Sequence, residues 1–209
     1  MLSNKTYRLA ELFLMFVLAP VSFTLPYSIW IKVGIGFFGL AYVIYILLKV
    51  EHLKFRIKPE LDWPRFFKQV GLHFVIIVLF TVLYVLKTDP DQLFRVMLDK
   101  SMMWIIILFV YSLFSVYPQE LIYRTFFFKR YENLFSDKWL FVMLNAGLFS
   151  LAHIFFMNML VMVLTFLGGW LFALTFYRTR STLMVSIEHA IYGCWLFTVG
   201  MGHMLGFPS

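Results

Sequence analysis

The chain has 209 residues, of which 62% are hydrophobic, 21% aromatic and only 14% charged, and its mean hydropathy is +0.83. Soluble domains are about half apolar and a quarter charged, so this composition excludes an ordinary water-soluble fold. The net charge of +7 is carried by Lys and Arg in short segments between apolar runs, not along one helix face, which argues for membrane topology and against a nucleic-acid partner.

Crossing the hydrocarbon takes about 20 apolar residues, and about seven runs approach that length. The first, Leu9 to Leu25, is interrupted by Pro20; Lys5 and Arg8 precede it with no small-residue cleavage site before Pro26, the pattern of a retained signal anchor. Ile29 to Val50 follows, with Gly34, Gly36 and Gly39 predicted to allow close helix contact. The loop from Glu51 to Lys68 mixes basic residues with Trp63, Phe66 and Phe67 and is predicted to rest on anionic lipid. After the third run, Val70 to Leu86, Asp89, Pro90 and Gln92 read as an N-cap, a first-turn proline and a capping-box partner. They open a short interfacial stretch containing Leu93, Phe94, Met97 and Leu98. The remaining runs are Met102 to Phe128, Trp139 to Phe156, Asn158 to Tyr177 and Thr182 to Leu205. Gly169 and Ala173 in the sixth are also spaced for close contact, and the lone cysteine, Cys194 in the seventh, excludes an internal disulfide.

Positive loops stay in the cytoplasm. With the N-terminus inside, the inner segments carry Lys5, Arg8, Lys49, Lys54, Arg56, Lys58, Arg65, Lys68, Lys129, Arg130, Lys138, Arg178 and Arg180, against Lys32, Lys87, Arg95 and Lys100 outside. The reading is an all-α, polytopic transmembrane helix bundle of about seven helices, N-terminus inside and C-terminus outside, forming one membrane domain over residues 1–209.

An ionisable side chain at mid-membrane costs about 2.5 to 3.5 kcal/mol even on mild insertion scales, so each needs a partner and a reason. Three clusters qualify. Glu120 and Arg124, four apart, can pair on one helix face, with Gln119 and Tyr123 on the adjoining face. Asn145, Phe149 and His153 share one stripe of the fifth run. Glu188 and His189 in the seventh diverge by about 100°, so that one can face a cavity while the other bonds a neighbouring helix; His189 is the better cavity candidate, with Glu188 in support. His73 and His203 stand alone and read as structural. At about 1.5 Å per residue, Glu120, His153 and His189 reach depths compatible with one cavity opening toward the cytoplasm. A carboxylate and two histidines in such a place suit activation of water for attack on an amide, or a divalent metal.

In this order the clusters resemble the CAAX-protease and bacteriocin-processing family of intramembrane endopeptidases, also called Abi proteins, whose motifs are Glu-Glu-x-x-x-Arg, Phe-x-x-x-His and His-x-x-x-Asn or Asp. Here Gln119-Glu120-x-x-x-Arg124, Phe149-x-x-x-His153 and His189-x-x-x-Gly193 take those places, over roughly residues 102–205. The resemblance implies a general base at position 119, Glu120 paired with Arg124, and His153 and His189 holding the water or the oxyanion; Phe149 belongs to the second motif, and Asn145 and Glu188, from their places on the helices, are read as supporting residues. Two positions depart from the pattern. Gln119 has no basic form near neutral pH, so Glu120, loosened from Arg124, or Glu188 would have to supply the base. Gly193 replaces the final amide.

The leading reading is therefore an intramembrane endopeptidase that hydrolyses a peptide bond near the cytoplasmic face through water activated by Glu and His residues. The substrate would be a peptide or a membrane-anchored or lipid-modified protein. The alternative is a catalytically reduced relative that binds a membrane protein partner as a maturation or immunity factor; a small transporter or proton pathway is the third. The setting is membrane lipid, in a bacterial inner (plasma) membrane. No cofactor is expected. A divalent metal held by His153, His189 and Glu120 stays open, although the tight two-histidine spacing of zinc peptidases is absent.

Overall fold

The computed structural model describes residues 2, 4–54 and 60–206, and all regular structure among them is helical. Six helices are long and apolar enough to cross a membrane: α2 (Ile29–Val50), α3 (Trp63–Thr88), α5 (Ser101–Leu134), α6 (Lys138–Phe156), α7 (Met159–Thr179) and α8 (Thr182–Val199). α1, over residues 5–22, precedes them, and the short α4 (Arg95–Asp99) lies between α3 and α5.

The distribution of side chains is inverted relative to a soluble protein. Trp30, Phe38 and Met157 are 79%, 72% and 80% exposed, whereas Glu120, Arg124, Arg130, Asn145 and Glu188 are fully buried. Lipid accounts for this pattern, because hydrocarbon solvates apolar side chains and offers nothing to a charge or an amide. The chain is a polytopic helical membrane protein.

Contacts divide the chain into two compact units, residues 1–57 with 119–180 and residues 58–118 with 181–209. The first unit holds α1, α2, the second half of α5, α6 and α7. Its core is aromatic: Phe16 of α1 stands edge-on to Tyr123, Phe127 and Tyr131 of α5 at ring distances of 5.2, 5.1 and 5.9 Å, and Phe127 stacks on Phe141 of α6 at 5.1 Å. Asp137 and Asn158 cap α6 and α7, each accepting from two backbone amides of the first turn, which satisfies donors that lipid cannot. The second unit holds α3, α4, the first half of α5 and α8. Two tryptophan indoles tie it across helices, Trp195 donating to Thr81 Oγ1 at 2.8 Å and Trp104 to Thr198 Oγ1 at 3.0 Å.

Several elements differ from the sequence reading. The first apolar run forms α1, yet that helix falls outside the six potential spans; it carries Lys5, Arg8 and a buried Glu11. α3 starts seven residues earlier than its apolar run, at Trp63, because Asp62 accepts from the Arg65 amide at 3.0 Å and Pro64 sits in the first turn, where its missing N–H costs nothing. Trp63, Phe66 and Phe67 thus form an aromatic cluster on a helix, not in a loop, with Trp63 stacked on Phe67 and Phe66 edge-on to both; Arg56 and Lys58 of that loop lie outside the described residues. Asp89 makes no side-chain cap, and Pro90–Gln92 is a single 3₁₀ turn. Phe94 stands 6.0 Å from the Trp195 ring of α8. Gly34, Gly36 and Gly39 face open space. Arg130, counted among the cytoplasmic loop charges, is fully buried in α5.

Candidate active site

α5 is not a uniform α-helix. π-helical stretches at Tyr111–Val116 and Leu121–Phe126 flank one α-turn, Tyr117–Glu120. Pro118 sits inside that turn, where it lacks the N–H for an i→i−4 bond, and such widened turns re-aim side chains. The residues singled out in the sequence, Gln119, Glu120 and Arg124, lie at and just after this irregularity.

In the first unit Arg124 is a three-helix clamp. Its Nε stands 3.3 Å from Glu120 Oε2, one turn earlier on α5. One terminal nitrogen donates to Asn145 Oδ1 of α6 and the other to the Gly169 carbonyl of α7 at 3.2 Å. Asn145 completes the ring by donating to the Tyr123 carbonyl at 2.7 Å. That carbonyl lies in a π-helical stretch, where backbone acceptors lose their regular partners. The guanidinium lies over the rings of Phe149 and Phe172 at 4.9 and 5.9 Å, so its charge is met by the Glu120 carboxylate, neutral oxygens of Tyr123, Asn145 and Gly169 and two aromatic faces. The close approach of α6 and α7 depends on Gly169, where a Cβ would fall 2.9 Å from Phe149 Cδ1.

His153 is placed differently from the helical stripe predicted for it. The α-helical part of α6 ends at Leu151, and the His153 amide donates to the Ser150 carbonyl instead of to Phe149. The Phe149 carbonyl, which would have received that amide, is instead 2.8 Å from His153 Nδ1. A carbonyl only accepts, so Nδ1 carries the proton and the neutral ring presents Nε2 as its acceptor. The imidazole, partly exposed, stands 4.9 Å from the Phe149 ring.

In the second unit Glu188 and His189 face different helices. His189 Nε2 is 3.1 Å from the Tyr111 hydroxyl of α5. Glu188 accepts from the Tyr192 hydroxyl at 3.1 Å and lies 3.9 Å from His73 Nδ1 of α3. His73 is therefore not isolated, and Glu188 is committed to its own cluster. His203, by contrast, caps the Gly200 carbonyl at 3.2 Å. Among the described residues no three His, Cys, Asp or Glu side chains group as metal ligands.

One polar network escaped the sequence reading. Arg130 donates to Glu11 at 2.8 Å, to Glu51 at 3.0 Å and to the Leu2 carbonyl at 2.6 Å, while the Tyr131 and Tyr42 hydroxyls donate to the same Glu11. The available signal was Glu11 itself, an acid within an apolar run.

Comparison with known proteins bears on this arrangement directly. Residues 101–195 match the model of the Rce1-like family, described as type II CAAX prenyl endopeptidase Rce1-like. This segment is similar to the CAAX prenyl endopeptidases. The match covers slightly under half of the chain and contains all three motif positions, Gln119 to Arg124, Phe149 to His153 and His189 to Gly193. No curated protein and no solved structure matches the chain.

Proposed function

We propose that this protein is an intramembrane endopeptidase that hydrolyses a peptide bond of a membrane-anchored or lipid-modified substrate near the cytoplasmic face of a bacterial inner membrane. The observation that carries this reading is the Rce1-like match over the segment bearing the motifs. Within that segment Arg124 holds Glu120, while His153 presents Nε2 as an acceptor.

In this mechanism His153 Nε2 takes a proton from water, because Gln119 has no basic form and the charge of Glu120 is engaged by Arg124. Gln119 and Glu120 orient the water. Its oxygen adds to the scissile carbonyl carbon; the C–N bond then breaks, and the proton held by His153 passes to the departing amine. His189 is assigned to the oxyanion by its place in the motif order.

The test is cleavage of a prenylated, fluorescently labelled peptide by the purified protein in liposomes. Loss of the His153 hydrogen bond to the Phe149 carbonyl should by itself lower the stability of His153→Ala by about 1 kcal/mol. Its hydrolysis should fall at least about 100-fold, the scale of a lost acid–base group. Cleavage by the variant at the wild-type rate, or no cleavage of any prenylated or membrane-anchored peptide by the wild type, would overturn the proposal.

A further inference from the structure

Gly193 lies one helical turn after His189 on α8, and Phe197 lies one turn further, so the three share a face. A Cβ built at position 193 would stand 2.1 Å from the Tyr111 hydroxyl oxygen and 2.5 and 2.6 Å from Cε1 and Cζ of the same ring. No side chain fits there while Tyr111 holds this place. Tyr111 is itself anchored: its ring stands edge-on to Phe197 at 4.8 Å and to His189 at 6.0 Å, and its hydroxyl is 3.1 Å from His189 Nε2. It opens the first π-helical stretch of α5, a widened turn of the kind that redirects a side chain toward a neighbour.

The tyrosine therefore occupies the space that the missing side chain at 193 would fill, and it brings a polar atom to the same histidine. We propose that Tyr111 is the positioning residue for His189: its hydroxyl fixes the orientation and tautomer of the imidazole, and Gly193 is the residue that admits it. The consequence for catalysis rests on the peptidase reading above; the pairing itself does not.

Two measurements test these separately. The first is the ¹⁵N spectrum of labelled imidazoles in detergent micelles, with His189→Gln identifying the His189 signals among those of the five histidines. Tyr111→Phe keeps the ring contacts and removes only the hydroxyl, and it should shift the His189 nitrogen signals. Gly193→Ala, which displaces the ring, should shift them likewise. The second is hydrolysis of the prenylated peptide, where Tyr111→Phe should lower kcat about tenfold with KM unchanged. Tyr111→Ala should lose more, and Gly193→Asn in that background should restore part of the loss by returning a polar group to the emptied space. His189 nitrogen signals and kcat both at wild-type values in Tyr111→Phe would overturn the proposal. Shifted signals in a protein that cleaves nothing would support the pairing and overturn the peptidase reading.

Discussion

Replacing Glu120 with Gln perturbs one atom of the clamp and removes one charge. In the wild type the Glu120 carboxylate is 3.3 Å from Arg124 Nε, and both side chains are fully buried. Gln keeps the shape of the side chain beside Nε, and the guanidinium keeps Asn145, the Gly169 carbonyl and the faces of Phe149 and Phe172; what it loses is the compensating charge. Breaking one side of a buried pair costs about 3–5 kcal/mol. The retained neutral partners put Glu120→Gln near the lower end, about 3 kcal/mol, whereas Glu120→Ala, which also leaves a void, should approach about 5 kcal/mol. In a cycle with Arg124→Met, the double variant should be less destabilised than the sum of the singles by about 1–3 kcal/mol, because neither charge is then stranded. Reversible unfolding in mixed micelles titrated with sodium dodecyl sulfate measures all four proteins. A Glu120→Gln variant as stable as the wild type, or a cycle additive within about 0.5 kcal/mol, would refute the clamp as drawn. The same result governs how catalytic tests at this position are read, since activity must be expressed per folded molecule.

Gly169→Ala should destabilise the protein by about 1–3 kcal/mol through overpacking, because its Cβ would meet Phe149 Cδ1 at 2.9 Å. Phe149→Leu in the same chain should recover part of that loss in the same unfolding assay, and failure to recover any would place the strain elsewhere. Arg130→Met strands Glu11, leaves Glu51 with the more distant Arg8 at 3.8 Å, and should cost about 3–5 kcal/mol. Arg130→Lys should restore only part of it, since a point charge cannot replace a fork that reaches Glu11, Glu51 and the Leu2 carbonyl together. Full stability in Arg130→Lys would show that charge alone suffices.

Much of the candidate site was legible along the chain because its pairs are local. Glu120 and Arg124 are one turn apart, and their ion pair follows from helix periodicity. Gly169, read as allowing close contact, does admit α6 against α7, with Phe149 filling the space beside it. Periodicity failed where the helix itself changed: His153 falls just past the end of the α-helical part of α6, so a regular stripe misplaces it, and the vacated Phe149 carbonyl, not a helix face, fixes its ring. It failed again at Arg130, whose position near a helix end resembles a loop charge until Glu11, 119 residues earlier, is seen beside it.

By itself, the sequence determined that lipid is this protein's solvent and that its regular structure is helical; apolar length and the cost of a charge in hydrocarbon suffice for that. Only the tertiary structure decided the partners. His73 meets Glu188, Tyr111 meets His189, and Asn145 with the Gly169 carbonyl completes the hold on Arg124. Each joins residues on different helices, and a helix's periodicity specifies which face a residue occupies, not which neighbour will be docked against it.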